Sequence, residues 1–260
     1  MLVKAPFGFG KSAFREAVRS FLVNYDAVKV KTIILLQPEF DELQFYREVA
    51  SALGVESRRS DDKIEIRNLL TKKLVSESYD RQFLIILDDA QFLGEDALFG
   101  IKFLTDLERN GRKICSALLL CSPEIDSLLS RPKLAQVVDR MHLRRDLRPF
   151  SQRDTFEYVS RAMSYAKLEP LPGDYEFPST SDGALLETHR LEPFIPEAVA
   201  NIFDLTGGVP RAVRLLCARS IVLRAREAEG FPGHDGFRIR SDVVNRAWEA
   251  LLDRGEAHTA

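Results

Sequence analysis

The stretch Pro6-Phe7-Gly8-Phe9-Gly10-Lys11-Ser12 follows a short apolar segment, Leu2-Val3, and leads into a helical pattern over residues 12–24. A strand, a glycine-rich loop and a helix in this order are typical of a phosphate-binding loop. Because the helix begins at the loop, the positive end of its dipole faces any anion that binds there. We therefore expect a phosphate site at the start of the chain.

Each residue type in this loop has a chemical role. Gly8 and Gly10 let the backbone curl so that its N–H groups point inward at phosphate oxygens. Lys11 would reach the β- and γ-phosphates, and the Ser12 hydroxyl would bind Mg²⁺. The full pattern G-x-x-x-x-G-K-[ST] has one departure, because Ala5 stands at the position of the first glycine. The alternative interpretation is a glycine-rich turn before an ordinary helix.

Composition limits the classes of protein to consider. The chain has 260 residues, is 45% hydrophobic and 29% charged, and carries a net charge of −2. This size allows one large domain or two smaller ones, and a DNA contact would need a local basic patch. The apolar runs are too short to span a membrane, and no signal peptide is recognisable. Three cysteines in apolar runs are expected to be reduced core residues of a cytoplasmic protein: Cys115, Cys121 and Cys217.

Strand and helix patterns alternate through residues 1–149, which predicts an α/β domain with a parallel sheet between helices. The predicted strands are Leu2-Val3, Lys29–Gln37, Phe83–Leu87, Ile114–Cys121 and Met141–Leu147. The helix predicted at Ala97–Arg109 ends at Asn110-Gly111. Residues 150–260 show only helical patterns and predict a small all-helical domain, with a Pro- and Gly-rich insertion at about 167–193.

Two carboxylates follow the buried strand Phe83–Leu87, in the run Asp88-Asp89-Ala90-Gln91. Ligands bind at the carboxyl edge of parallel sheets, so this run is expected beside the phosphate loop. Asp88 would hold Mg²⁺ directly or through water, and Asp89 would orient and deprotonate the attacking water. Glu is commoner at the second position, and the shorter Asp89 bears on the rate of hydrolysis more than on ATP binding. The alternative is a solvated turn after a core strand.

Two further polar positions fit the same site. Ser122 ends the next strand and could hydrogen-bond the attacking water or the γ-phosphate; it could equally be a capping serine before Pro123. In the second part of the chain, Gly207-Gly208-Val209-Pro210-Arg211 begins a helix, with Pro210 in its first turn. Arg211 could point back at the γ-phosphate.

Four segments, in this order, resemble AAA+ ATPases: APFGFGKS, FLIILDDAQ, LLLCSPEI and LTGGVPRAVRLLC. The resemblance is closer to the bacterial group that holds the transposition regulators TnsC and TniB and the secretion-linked ExeA ATPases. It implies a five-stranded parallel P-loop NTPase sheet with helices on both faces, followed by a helical lid, and it implies ATP and Mg²⁺ as ligands. By this resemblance Pro6–Ser12 is Walker A and Asp88-Asp89 is Walker B. Ser122 is then sensor 1, and Arg211 is sensor 2.

The resemblance also implies self-assembly into a ring or filament, in which an arginine of the neighbouring subunit completes the site. That arginine precedes the last strand of the sheet, where Arg140 stands in this sequence. Arg131 is the second choice, and for each the alternative is an ordinary solvated arginine.

Three functions fit these features. The first is an ATP-hydrolysing regulator that assembles on double-stranded DNA and contacts a transposase or target-selection protein. The second is an ExeA-like ATPase of a secretion machine. The third is a nucleotide-dependent switch with little turnover. Basic residues that could contact DNA lie around the end of the predicted helix Ala97–Arg109, although basic residues also favour a helix C-terminus for local reasons. They are Lys102, Arg109, Arg112 and Lys113.

Overall fold

The computed structural model describes residues 1–24, 29–36, 40–58, 60–166, 191–228 and 237–254. Most of the predicted insertion at 167–193 therefore lies outside the described residues, as does Gln37 at the end of the second predicted strand. The chain forms two compact units. The first contains Met1–Pro6 and Gly10–Leu147, and the second contains Phe7–Phe9 and the chain from Arg148 onward.

The strands of the first unit are β1 (Leu2–Lys4), β2 (Val30–Leu35), β3 (Gln82–Leu87), β4 (Glu108–Arg109), β5 (Arg112–Lys113), β6 (Cys115–Cys121) and β7 (Arg144–Asp146). Five of them form one sheet in the order β2-β3-β6-β1-β7, and all neighbouring pairs are parallel. This confirms the predicted five-stranded parallel sheet. The other two strands, β4 and β5, pair with each other.

The last strand is shorter than the predicted Met141–Leu147. It lies at the edge of the sheet, where its one partner is β1. Since β1 has three residues, it offers pairing positions to three residues of β7, from Leu2 opposite Arg144 to Lys4 opposite Asp146. The length of the edge strand is therefore set by its neighbour.

Helices cover both faces of this sheet. Successive side chains of a strand point to opposite faces, and β3 is apolar on both. Ile85 and Leu87 pack into the larger core cluster, whereas Ile86 packs into a smaller one with Phe14 and Val18. The helices of the first unit are α1 (Lys11–Asn24), α2 (Glu42–Ala52), α3 (Lys63–Glu77), α4 (Glu95–Asp106), α5 (Ile125–Leu129) and α6 (Ala135–Val138). Phe14 and Val18 belong to α1, and the larger cluster includes residues of the other five helices.

One predicted helix end is wrong. The helix expected to continue to Arg109 stops at Asp106, and a two-residue hairpin loop joins β4 to β5. Asn110 and Gly111 both have positive φ, 50° and 73°, as a type I′ hairpin turn requires. The Asn-Gly pair is therefore the turn of a hairpin, and not the stop signal of a helix.

The second unit is helical in its described parts, as predicted. Its helices are α7 (Gln152–Ala166), α8 (Pro196–Thr206), α9 (Pro210–Ala228) and α10 (Ser241–Leu252). Ser151 caps the start of α7, because its Oγ accepts a hydrogen bond from the Asp154 N–H at 3.1 Å. Side chains of all four helices share one apolar core, which includes Val159, Ile202, Leu216 and Val244.

Two predictions about composition can be compared with this fold. All three cysteines are buried and free, as expected, and burial raises the pKa of each to about 12. Within the described residues, no helix has the length and apolar character needed to cross a bilayer.

Gly208 has a packing role that the sequence pattern alone does not reveal. It follows α8 with φ +72°, and a Cβ atom added there would lie 2.0 Å from the carbonyl oxygen of Phe150. The Phe150 N–H donates to the Gly208 carbonyl at 2.8 Å, which holds the two backbone segments together. The neighbouring Gly207 also has positive φ, +58°, but a Cβ there would meet nothing within 4 Å.

This pair of glycines gives a matched test of the packing. Gly207→Ala should cost about 1–2 kcal/mol, the strain of a left-handed alanine. Gly208→Ala should cost about 1–3 kcal/mol more, since backbone must also move to admit the methyl group. Trp248, the single tryptophan of the chain, packs against the core of the second unit, so its fluorescence reports urea unfolding there. Equal destabilisation by the two substitutions would contradict the proposed contact.

Candidate nucleotide site

The loop between β1 and α1 has the backbone expected of a phosphate-binding loop. Gly8 and Gly10 both have positive φ, 85° and 90°, and the Gly10 carbonyl accepts the Phe14 N–H, so α1 begins at the loop. Ala5, at the position of the first glycine, does not have positive φ. It is buried, and its N–H donates to the Cys121 carbonyl at 2.9 Å. An alanine therefore fits this position without backbone strain.

Lys11 and Ser12 are the first two residues of α1. The Lys11 ammonium donates to the Ala5 carbonyl at 3.0 Å, so its side chain folds back along the loop. An ammonium has three donors, and this bond uses one of them. The Ser12 side chain is exposed in the first turn of the helix.

Asp88 lies at the carboxyl end of β3 and is buried, with both carboxylate oxygens engaged. Oδ2 accepts from Arg15 Nη1 at 2.7 Å, and Oδ1 accepts from the Asp89 N–H at 3.1 Å. Arg15 was not among the predicted site residues. The signal for it was present, since Arg15 follows Lys11 by four residues and so lies on the same face of α1. This ion pair joins the helix that begins at the phosphate loop to the acidic end of β3.

Asp89 and Ser122 are brought together by a side chain that the sequence interpretation left without a role. Gln91 Nε2 donates to Asp89 Oδ1 at 3.2 Å, and Gln91 Oε1 accepts from the Ser122 N–H at 3.0 Å. Asp89 itself has left-handed backbone angles, φ 55° and ψ 41°, which aspartate tolerates better than most residues. The Gln91 amide thus links the end of β3 to the end of β6.

Arg211 lies next to loop residues within the second unit. Its backbone N–H donates to the Gly8 carbonyl at 3.1 Å, and its guanidinium carbon is 4.5 Å from the centre of the Phe7 ring. Its Nε atom is buried, without a hydrogen-bond partner among the described residues. A buried donor without an acceptor is costly, so this atom is a candidate contact for an added anion.

The two arginines proposed to complete the site of a neighbouring subunit, Arg140 and Arg131, lie in different parts of the first unit. Arg140 lines a cavity of about 240 Å³ with Ser116 and Ala117, near the amino end of β6. The candidate phosphate loop follows the carboxyl end of β1. Arg140 therefore lies at the opposite end of the strands, where they begin. Its Nη2 is 3.6 Å from Asp106 Oδ1, and 55% of its side chain is exposed. Arg131, the second choice, pairs with Glu95 at the start of α4.

Three of the four basic residues proposed to contact DNA already have partners in the first unit. Lys102 pairs with Asp106 at 2.9 Å, and Lys113 with Glu108 at 2.8 Å. Arg109 contacts the hydroxyl of Ser78 and the ring of Tyr79. Arg112 is exposed on the hairpin and makes no ion pair with the part of the chain that the structure describes. The basic patch is therefore smaller than the sequence suggests.

Asp106 is the ion-pair partner of Lys102, Lys113 and Arg140. Burial by itself would raise the pKa of its carboxyl group. The hydrogen bond from Lys102, together with the charges of Lys102, Arg140 and Lys113, outweighs burial and lowers the pKa. The carboxylate is thus held ionised beside Arg140.

Part of the chain is similar in sequence to known proteins. Residues 1–129 match the family described as AAA domain. General secretion pathway protein A of Aeromonas hydrophila is 27% identical over 143 residues, which are 55% of this chain and 22% of that protein. The chain therefore spans less than a quarter of the length of this relative.

Solved structures resemble nearly the whole chain. ORC2 of Aeropyrum pernix, with ADPNP and ADP, has a TM-score of 0.62 at 16% identity and matches 95% of this chain and 61% of its own. ORC1 of Aeropyrum pernix in complex with DNA has a TM-score of 0.56 at 18% identity, over 97% of this chain and 59% of its own. A mutant of RuvB from Thermotoga maritima scores 0.56 at 16% identity, over 98% and 64%. The fold is that of an AAA+ P-loop NTPase. At these identities the likeness concerns the fold alone.

Proposed function

We propose that the protein binds ATP with Mg²⁺ and hydrolyses the ATP to ADP and phosphate. The observation that carries this proposal is the 2.7 Å ion pair between Arg15 and Asp88. It places the acidic end of β3 directly against the helix that begins with Lys11. A phosphate loop and a pair of carboxylates at one edge of a parallel sheet are the groups that phosphoryl transfer from ATP requires.

The residues present fit the two ligands. The left-handed backbone at Gly8 and Gly10 and the two remaining donors of Lys11 suit phosphate oxygens. The Ser12 hydroxyl and Asp88 would hold Mg²⁺, which neutralises phosphate charge when it is bound. Each oxygen of Asp88 accepts one hydrogen bond in this structure, and each retains a lone pair for the metal or a water bound to it.

In this proposal Asp89 is the general base. Gln91 holds Oδ1 of the carboxylate, which leaves Oδ2 to accept a proton from the attacking water. Gln91 acts as a positioning residue, because the same amide also accepts from the backbone of Ser122. We assign the Ser122 hydroxyl and the Arg211 guanidinium to contacts with the γ-phosphate.

Asp89→Asn tests this proposal. The variant keeps Asp88 and the phosphate loop, so ATP affinity should stay within about threefold of the wild type. Turnover should fall by about 10² or more, the usual contribution of a general base. The measurements are phosphate release and binding of a fluorescent ATP analogue. Unchanged turnover would show that Asp89 is not the base, and no detectable turnover in the wild type would favour the nucleotide-switch function.

Gln91→Leu tests the positioning role. Leucine is of similar size but makes neither hydrogen bond, so Asp89 should lose its fixed orientation. We expect kcat to fall by about tenfold or more while KM for ATP changes less than about twofold, because only the reacting geometry is affected. Gln152→Leu, an exposed glutamine at the start of α7, is the control. A rise in KM with constant kcat would instead place Gln91 in nucleotide binding.

We further propose that the protein assembles with ATP, and that Arg140 acts on the site of a neighbouring subunit. The support is geometric. Arg140 is exposed and lies near the amino ends of the strands of its own sheet, away from its own phosphate loop. It could therefore meet a phosphate only in another copy, where an arginine stabilises the charge of the transition state.

Mixing two inactive variants tests the assembly. Arg140→Ala should fold and bind ATP but lose about 10³ in turnover, a typical value for a trans arginine. Asp89→Asn has an inactive site of its own and an intact Arg140, so mixed assemblies should recover activity at protein concentrations where both co-assemble. Arg140→Lys is the control, because it keeps the charge beside Asp106 but lacks the arginine fork. A mixture as inactive as its components would exclude Arg140 and make Arg131 the next residue to test.

For the wider role we propose a cytoplasmic regulator that assembles as a ring or filament on double-stranded DNA, with a transposase or target-selection protein as partner. The exposed Arg112 on the hairpin supports a DNA contact. A second candidate, a secretion-associated ATPase, is supported by the similarity to General secretion pathway protein A. Binding to duplex DNA that weakens with salt, and weakens further in Arg112→Glu, would favour the first. Absence of DNA binding by the ATP-bound assembly would favour the second.

A further inference from the structure

We infer that Arg15 is a built-in counter-ion of Asp88 that weakens the binding of a divalent cation there when no nucleotide is present. This inference rests on the proposed role of Asp88 as a Mg²⁺ ligand and adds an order to the binding events. In this view Mg²⁺ enters the site together with the phosphates, and not before them.

The contact between the two side chains is close and largely shielded from water. Arg15 Nη1 is 2.7 Å from Asp88 Oδ2, and the side chains are 17% and 8% exposed. Arg15 Nε is also 3.2 Å from Glu16 Oε1, so the guanidinium is held from two sides. Charges at this separation in a poorly solvated site interact strongly, because little water screens them.

This arrangement makes the site attract a nucleotide more strongly than a free metal ion. A metal ion that arrives alone meets the positive charge of Arg15 a few ångströms from its ligand, and Asp88 is already neutralised. A nucleotide brings several negative charges, which the Arg15 and Lys11 charges attract. Arg15 therefore disfavours the free metal ion and favours the metal–nucleotide complex.

A purely structural role is the alternative explanation. Arg15 could serve only to tie α1 to the end of β3, and removing it would then destabilise the protein without changing its response to metal. The two roles differ in what they predict for Mg²⁺ in the absence of nucleotide. Breaking a buried pair leaves Asp88 as an uncompensated carboxylate, and a divalent cation is a natural replacement for the lost charge.

The experiment measures the midpoint temperature of unfolding against Mg²⁺ concentration, without nucleotide. Binding to the folded state raises this temperature. In Arg15→Ala the midpoint should rise with Mg²⁺, with half-maximal effect at a concentration at least about tenfold lower than in the wild type. Arg19→Ala is the matched control, since this arginine lies one turn further along α1 and pairs with Glu16 on the surface. It should behave as the wild type.

Two further variants complete the test. Arg15→Met keeps the long side chain without its charge, so it should show the same Mg²⁺ response even if Arg15→Ala does not fold. Adding Asp88→Asn to it should abolish the response. A metal-independent loss of stability in Arg15→Met, or an equal Mg²⁺ response in the wild type, would overturn the inference. Because no nucleotide is present, a failure of the proposed ATPase activity would leave this result unaffected and would be recognised separately.

Discussion

The structure of the first unit depends on the parallel pairing of β6 with β3 on one side and β1 on the other. Leu119 is the register partner of both Leu87 and Leu2. This shared register brings the residues that follow all three strands to one edge of the sheet. The carboxyl end of β1, the Asp88-Asp89 pair and Ser122 therefore lie at that edge, although they are far apart in the sequence. The pairing is stable because β3 and β6 are apolar on both faces and bury side chains under helices on each.

Much of the strand arrangement could be predicted from local sequence patterns. Continuous apolar runs predicted buried parallel strands, and polar residues at their ends predicted the edge at which a ligand would bind. The two boundary errors arise where pairing between strands, and not the local pattern, decides the structure. Asn110-Gly111 is compatible with both a helix end and a hairpin turn, and only the pairing of Glu108 with Lys113 decides between them. The length of β7 is set by β1, a neighbour that is distant in the sequence.

The partners of the site residues could not be predicted in the same way. Arg15 and Asp88 are separated by 73 positions, and Gln91 and Ser122 by 31. Helical spacing shows that Arg15 shares a face with Lys11, but not that this face meets the end of β3. The contact between Arg140 and Asp106 and the fit of Gly208 against Phe150 likewise depend on tertiary packing. Sequence patterns therefore indicated candidate residues for the chemistry, whereas the structure shows which residues hold those candidates in place.

The central claim is that the loop from Gly8 to Ser12 binds the phosphates of ATP. The most direct measurement is a titration of the wild type and Lys11→Ala with a fluorescent ATP analogue and Mg²⁺, with Lys133→Ala as an exposed-lysine control. We predict saturable binding to the wild type and the control, and at least about tenfold weaker binding to Lys11→Ala, because a charge-assisted contact is worth about 1.5–3 kcal/mol. A folded Lys11→Ala protein that binds within about threefold of the wild type would contradict the claim.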